Sequence, residues 1–237
     1  MKLFITCTLT TLLTVGCAST NPANPQDPYE KLNRKVYAFN MAVDKVVTKP
    51  IAKVYDKVMP KPLNTGVSNF FDNLSLVPTI GNDILQGNLT YTLNDLWRFM
   101  VNSTLGIGGL FDVGTHIGLE EHHTDLGITF AKWGWQNSNY IVLPILGPST
   151  MRDAVSYPGN IYMSPWPYID PESVRYGLYA LDLVDTRAQL LPADKLIEQA
   201  FDPYVFLRSA YLQLRQNKLH QAIHGEEKPL VKFNNGQ

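Results

Sequence analysis

Thiols are nearly missing from this chain: of 237 residues only Cys7 and Cys17 are cysteine. Cys7 lies inside an N-terminal apolar run, so the rest of the chain has no pair from which to build an internal disulfide. Charge is scarce too, since Asp, Glu, Lys and Arg make up 17% of residues against about 25% in an average soluble domain. With a net charge of −1 and no basic run or Lys/Arg stripe, nucleic acid is excluded as a partner, because phosphate backbones demand clustered cations. Beyond residue 17 nothing approaches 18 continuous apolar residues, so no membrane-spanning helix is expected. Serial ten-residue alternating segments are missing as well, which argues against a membrane β-barrel.

What the chain does have begins at its N-terminus. Met1-Lys2 is a short positive start, and Leu3 to Val15 is an apolar run interrupted by five threonines, too short and too polar to cross a bilayer. It ends in Gly16-Cys17, the small-residue and cysteine junction read by a lipoprotein signal peptidase, although Thr14 stands where an aliphatic residue is usual. Cys17 is therefore expected to be the lipidated first residue of the mature protein, and residues 1–16 the signal peptide. The alternative is an ordinary secretory signal with a stray thiol. In a disulfide-permissive compartment a single cysteine at the cleavage point makes more sense as an attachment atom than as a staple. Acyl chains add about 0.8 kcal/mol per buried methylene, enough in combination for a firm anchor. Ala18, rather than aspartate, follows the cysteine and favours the outer membrane.

Residues 17–27 (CASTNPANPQD) read as a flexible tether. Order is expected from Asp27-Pro28, with aspartate as N-cap and proline in the first turn. Tyr29, Leu32, Val36, Phe39, Val43 and Val46 then recur at helical spacing to about Thr48. Pro50, Pro60 and Pro62 cut out a short helix over Ile51 to Val58, and Asn64 to Leu74 reads as another. Leu93, Leu96, Trp97, Met100, Val101 and Leu105 form one apolar face of a long helix ending at Gly106. A helix from Thr124 to Trp133 and a strand over Tyr140 to Leu146 follow. Six of the sixteen prolines fall between Leu143 and Pro171, which predicts an irregular stretch. Helices at Pro171 to Leu191 and Asp202 to about His220 close a domain spanning 28–220, before a polar tail over 221–237.

Candidate chemistry is thin. Gly106-Ile107-Gly108-Gly109-Leu110-Phe111 is glycine-rich but follows a helix and lacks the lysine and hydroxyl of a phosphate cradle, so a tight apolar turn fits better. His116, His122, His123 and Asp125 offer ligand atoms at a spacing matching no metal class, and beside Glu120 and Glu121 they read as a solvated turn. Gly147-Pro148-Ser149-Thr150-Met151 lacks the second glycine of a hydrolase elbow. No cofactor, metal or catalytic residue is assigned. On the helix from Pro171, Glu172, Arg175, Tyr179, Asp182, Thr186 and Gln189 form one polar stripe among Val174, Tyr176, Leu178, Leu181, Leu183, Val184 and Leu190. Such a helix either lies against lipid with its stripe on a polar passage, or is a bundle helix whose stripe meets solvent.

From Asp27-Pro28-Tyr29-Glu30-Lys31-Leu32-Asn33-Arg34 onward the chain resembles the MlaA/VacJ family of phospholipid-transport lipoproteins. Further blocks are Ser68-Asn69-Phe70 with Asn73-Leu74, Leu85-Gln86-Gly87, the long run Arg98 to Asp112, and Leu143-Pro144 with Gly147 to Asp153. Thr186 to Leu191 and Asp202-Pro203-Tyr204 complete the series. The resemblance implies a mainly α-helical ring around a central amphipathic channel, held at the periplasmic side of the outer membrane. It implies removal of mislocalised phospholipid from the outer leaflet and transfer to a soluble periplasmic carrier that feeds an inner-membrane ABC transporter complex. A trimeric outer-membrane porin is the implied partner, and no enzymatic step is implied. Gly106, Gly108, Gly109, Phe111, Arg175, Tyr179 and Asp182 become the candidates for the lipid passage.

Overall fold

The computed structural model describes residues 27–224. The expected signal, Cys17 and most of the tether lie outside the described residues. Helix α1 (Glu30–Val43) starts with Tyr29 at the cap position and no side-chain cap. Asp27 does not cap it. Its carboxylate is fully buried, accepting hydrogen bonds from Asn33 Nδ2 at 2.8 Å and from the Tyr204 hydroxyl, and pairing with Arg208 at 2.9 Å. A buried carboxylate is stable only when paired and hydrogen-bonded, and that demand prevails over the local capping preference.

The sequence pattern predicts that Pro50 ends the helix, but it does not. A π-helical stretch, Asp44–Thr48, widens the turn just ahead of it, and α2 (Lys49–Val58) continues with Pro50 in its first turn, where a missing N–H costs little. Helix α3 (Lys61–Leu85) is far longer than expected and carries Pro78 in its interior. Helix α4 (Leu89–Thr104) follows, capped by the Asn88 side chain on Tyr91 N, and ends as expected before Gly106. The short α5 (Val113–His116) and α6 (Leu126–Lys132) are capped by the carboxylates of Asp112 and Asp125.

The stretch expected to be irregular is ordered. Strands β1 (Tyr140–Leu143) and β2 (Gly147–Thr150) pair antiparallel with Tyr140 opposite Thr150, and Ile145 takes a positive φ in the turn. Two asparagines of α1 serve as the hairpin's missing neighbour. Asn33 accepts from Val142 N at 2.9 Å and donates to Tyr140 O, while Asn40 accepts from Ile145 N and donates to Leu143 O. Helix α7 (Met151–Met163) follows directly, capped by Thr150 on Asp153 N, and tolerates Pro158. Helix α8 (Glu172–Gln189), the short α9 (Asp194–Gln199) and α10 (Pro203–His224) complete the chain, with α10 overrunning the expected start of the polar tail.

The fold is mainly helical, with this hairpin the only sheet among the described residues. Neighbouring elements close a circuit: α1 meets β1, β1 meets α7, α7 meets α3, α3 meets α8, α8 meets α2, and α2 returns through the π stretch to α1. Ion pairs clamp the joints. Arg187 of α8 holds Asp44 of the π stretch at 2.7 Å and Asp194 of α9 at 3.0 Å, and Arg215 of α10 holds both Asp125 and Asp153. A hydrophobic cluster of Tyr140, Val142 and Tyr204, flanked by Tyr37 and Tyr211, fills the hairpin end.

Candidate functional site

Two of the helices, α2 and α4, are turned the opposite way from those of a water-soluble protein. On α4 the buried residues are Asp95, Arg98 and Asn102, whereas Leu93, Leu96, Trp97 and Met100 are exposed, Trp97 by 57%. On α2 only Ala52 is buried, while Ile51, Val54 and Val58 face outward. A contiguous apolar face of this kind marks a surface that meets something other than water.

Inside, α3 is the wall shared by the two candidate regions. Its Ser68 donates to Asp185 of α8 at 2.9 Å, and on the other side its Asn73 abuts Gly109 of the glycine turn. Asp185 is almost completely buried and also accepts from the Tyr55 hydroxyl at 2.9 Å and Gln189 Nε2 at 2.8 Å. Sequence reasoning missed it, although Asp182, Asp185 and Gln189 fit a helical stripe as well as the chosen set does. Between the two regions stands Asp72. It is accessible to solvent, yet surrounding protein, reinforced by the Glu121 carboxylate, pushes its pKa up. It lines a small cavity with Asn73, Arg98, Asp112 and Glu121. Asp182, half-buried across from it, is shifted upward in the same way, by burial first and then by Asp185 and Asp72.

The remaining stripe residues divide. Tyr179 stacks on Trp166 with ring centroids 4.4 Å apart, and Trp166 stacks in turn on Phe71 at 5.9 Å, forming an aromatic bank that runs from α8 to α3. Arg175 pairs with Glu172 at 3.2 Å and donates to the carbonyls of Pro167 and Ile169, so its guanidinium ties down the segment leading into α8. Thr186 and Gln189 are exposed.

The glycine turn folds back on the end of α4. Gly108 N donates to Ser103 O at 2.9 Å, Gly109 N to Asn102 O at 2.8 Å, and Phe111 N to Gly106 O at 3.0 Å. Gly106 is buried so closely against the backbone oxygens of Phe111 and Asn102 that no side chain fits. Gly109 has φ +94°, and a Cβ there would stand 2.7 Å from the Asn73 Cβ, whereas Gly108, at φ +69°, faces open space. Leu105, Ile107, Leu110 and Phe111 all project outward from the turn. Beneath it Asp112 pairs with Arg98 at 2.9 Å and accepts from Asn102 Nδ2, locking the turn to α4.

The histidine region differs from its sequence reading. His116 and His123 are exposed, but His122 turns inward between Asp95 at 3.0 Å and Asp83 at 3.7 Å, its ring stacked on Tyr91 at 4.0 Å. Burial alone would lower its pKa, but the nearby Asp83 carboxylate and the hydrogen-bonded Asp95 push it up to about 9. Adjacent histidines point apart on any backbone, and here the buried acids of α3 and α4 select one of them.

Apolar outside and polar along its inner walls, this is the architecture of a helical protein that sits against lipid. The family model described as MlaA lipoprotein matches residues 25–218. Among similar proteins, the intermembrane phospholipid transport system lipoprotein MlaA of Escherichia coli K12 is 35% identical over 217 residues, covering 86% of this chain and 84% of that protein. Its Haemophilus influenzae counterpart is 30% identical over 240 residues, covering 96% and 94%. An uncharacterised protein of Rickettsia typhi is 37% identical over 192 residues, covering 80% and 76%. A chain solved in work on the structural basis for maintenance of bacterial outer membrane lipid asymmetry superposes with a TM-score of 0.71 at 29% identity, covering 81% of this chain and 98% of that one. This chain belongs to the MlaA lipoprotein family. No helix among the described residues is long and apolar enough to cross a membrane.

Proposed function

We propose that this protein binds phospholipid and moves it between membranes, the intermembrane phospholipid transport for which its E. coli and H. influenzae relatives are named, and so maintains the outer-membrane lipid asymmetry with which the superposed structure is concerned. The observation that carries the reading is the inverted amphipathicity of α4, with Asp95, Arg98 and Asn102 inside and Leu93, Trp97 and Met100 outside. Each outward aliphatic or aromatic side chain gains about 1.5–3 kcal/mol when it leaves water, so a band of them favours seating among acyl chains. Asp72 and Asp182, close enough to influence each other's charge, would give a polar path beside the Phe71-Trp166-Tyr179 bank, and an amphiphile needs both surfaces at once.

In this reading Tyr179 and Asp182 line the passage, Arg175 stands at its head, and Gly106, Gly108, Gly109 and Phe111 shape its far rim beyond α3. Lipid enters from the outer leaflet and leaves to a soluble periplasmic carrier that supplies an inner-membrane ABC transporter complex, with a trimeric porin holding the protein in place. Cys17 carries the acyl anchor, and no covalent bond of the lipid is broken.

A photo-crosslinking residue at Tyr179, compared with one at Val54 on the outer face of α2, tests the path. Phospholipid should attach at Tyr179 in protein extracted in mild detergent and remain intact by mass spectrometry. Labelling at Val54 alone would reduce the protein to a membrane-seated structural lipoprotein, and released fatty acid would make it an enzyme. Cys17→Ser should leave the protein uncleaved or soluble in the periplasm.

A further inference from the structure

The loop carrying His122 joins two helices through a cluster that lipid transport does not use. Asp83 near the end of α3 and Asp95 in α4 are both fully buried. Neither oxygen of Asp83 has a hydrogen-bond partner. A protonated His122 would neutralise one of the two carboxylates and leave the other bare in the interior, an arrangement that burial penalises. A dication would neutralise both.

The geometry suits one. His122 Nδ1 lies 3.0 Å from Asp95 Oδ2 and 3.7 Å from Asp83 Oδ2, and one ligand atom from each residue falls within 4.8 Å of the others. Two ligands bound at zinc distances in a tetrahedron stand about 3.4 Å apart, between the two measured separations. The ligands are also held from behind, as metal ligands commonly are. Asn94 Nδ2 donates to Asp95 Oδ1 at 2.9 Å and to Glu120 O at 2.8 Å, and Tyr91 fixes the imidazole plane by stacking. A cavity of about 330 Å³ lined by Gln86, Tyr91, His122, Thr124 and Leu214 opens onto the histidine. One imidazole and two carboxylates suit zinc or a neighbouring first-row dication better than calcium or magnesium, which prefer oxygen alone.

We propose that Asp83, Asp95 and His122 bind one divalent transition-metal cation, zinc by ligand chemistry, which pins the loop after α5 to the α3–α4 pair. Because that loop carries Glu121 beside Asp72, the ion would set the shape of the inner wall without taking part in any reaction.

The test is a calorimetric titration of the EDTA-stripped, detergent-solubilised protein with zinc chloride, run beside Asp83→Asn, His122→Gln and a His220→Gln/His224→Gln double variant. The last is the control, because His220 and His224 form an exposed pair on α10, ring centroids 4.6 Å apart, able to take zinc adventitiously. One zinc per wild-type chain is expected. Losing even an outer partner of a metal ligand costs about 10–100-fold in affinity, so Asp83→Asn and His122→Gln should each weaken binding at least about tenfold while the α10 variant does not. X-ray absorption at the zinc edge of the loaded wild type, which needs no variant to fold, should show a single imidazole with oxygen ligands. No zinc uptake by the wild type, unchanged affinity in folded Asp83→Asn and His122→Gln, loss only in the α10 variant, or two imidazoles at the ion would each overturn the site.

Discussion

Asp27 and Arg208 are 181 positions apart and meet in the interior at 2.9 Å, joining the first described residue to the last helix. The Tyr204 hydroxyl and Asn33 complete the carboxylate's hydrogen bonds. Removing one member strands the other: Asp27→Ala should cost about 3–5 kcal/mol of unfolding free energy. The joint replacement Asp27→Leu/Arg208→Met should recover most of it. Denaturant titration in mild detergent measures both, and a loss under about 1 kcal/mol for Asp27→Ala would place the pair with ordinary surface contacts.

Acid should loosen the circuit at its ion-paired joints. Burial raises the pKa values of Asp44 and Asp194, but the Arg187 guanidinium more than offsets this, and both end below the usual carboxylate range. For a depressed carboxylate the stabilisation is complete above its unfolded pKa, about 3.9 for aspartate, and disappears as pH falls through the folded value. The stabilisation contributed by this joint, read as the difference in thermal midpoint between wild type and Arg187→Gln, should therefore hold level from pH 7 to about 5 and shrink below about 4. Arg187→Gln should lower the midpoint at neutral pH and shrink its acid step. An acid step of unchanged size in that variant would assign it to other carboxylates.

The glycine turn separates two costs that a single substitution usually mixes. Gly108→Ala meets only the positive φ, since nothing lies near its Cβ, and left-handed backbone at a non-glycine residue costs about 1–3 kcal/mol. Gly109→Ala adds collision with Asn73 to a less favourable φ, so it should be the more destabilising of the two. Equal losses in thermal unfolding would show that Asn73 yields. Under the proposed function, Gly108→Val or Arg175→Glu should impair lipid asymmetry while the protein still accumulates and stays anchored.

Replacing Leu93, Trp97 and Met100 together with serine should leave the helical circular dichroism intact, because all three are exposed. Membrane association of protein lacking its acyl anchor should nevertheless fall sharply, at about 1.5–3 kcal/mol for each side chain withdrawn from hydrocarbon. Vesicle flotation reads this directly. Undiminished flotation would move the lipid-facing surface away from α4.

Most helices were legible because apolar spacing survives whichever side faces lipid: Leu93, Leu96, Trp97 and Met100 mark α4 whether its apolar face points in or out. Their ends were less so. Pro50 reads as a break, but a π turn absorbs it. The proline-rich stretch after Leu143 reads as irregular, but Thr150 caps α7 and Pro158 is accommodated within it. Among candidate site residues, the glycine turn was visible from composition alone, Asp185 fitted a stripe no better than the one chosen, and Asp83 and Asp95 gave no signal. Single aspartates on a helix look solvated until their neighbours are known.

The sequence by itself determined the helical class, the ends of α4 and α8, the tight turn at Gly106 to Phe111 and, through its ordered motif blocks, the family. Tertiary structure alone decided which face of each helix turns inward and which charges meet. The reason is physical. Helical periodicity is local and identical for either orientation, while the partners of Asp27, Asp44 and Asp125 lie on helices remote in sequence and are selected only when the circuit closes. At Asp27, where the carboxylate is fully buried, the pairing is obligatory, because an unpaired charge inside costs more than any local preference can return.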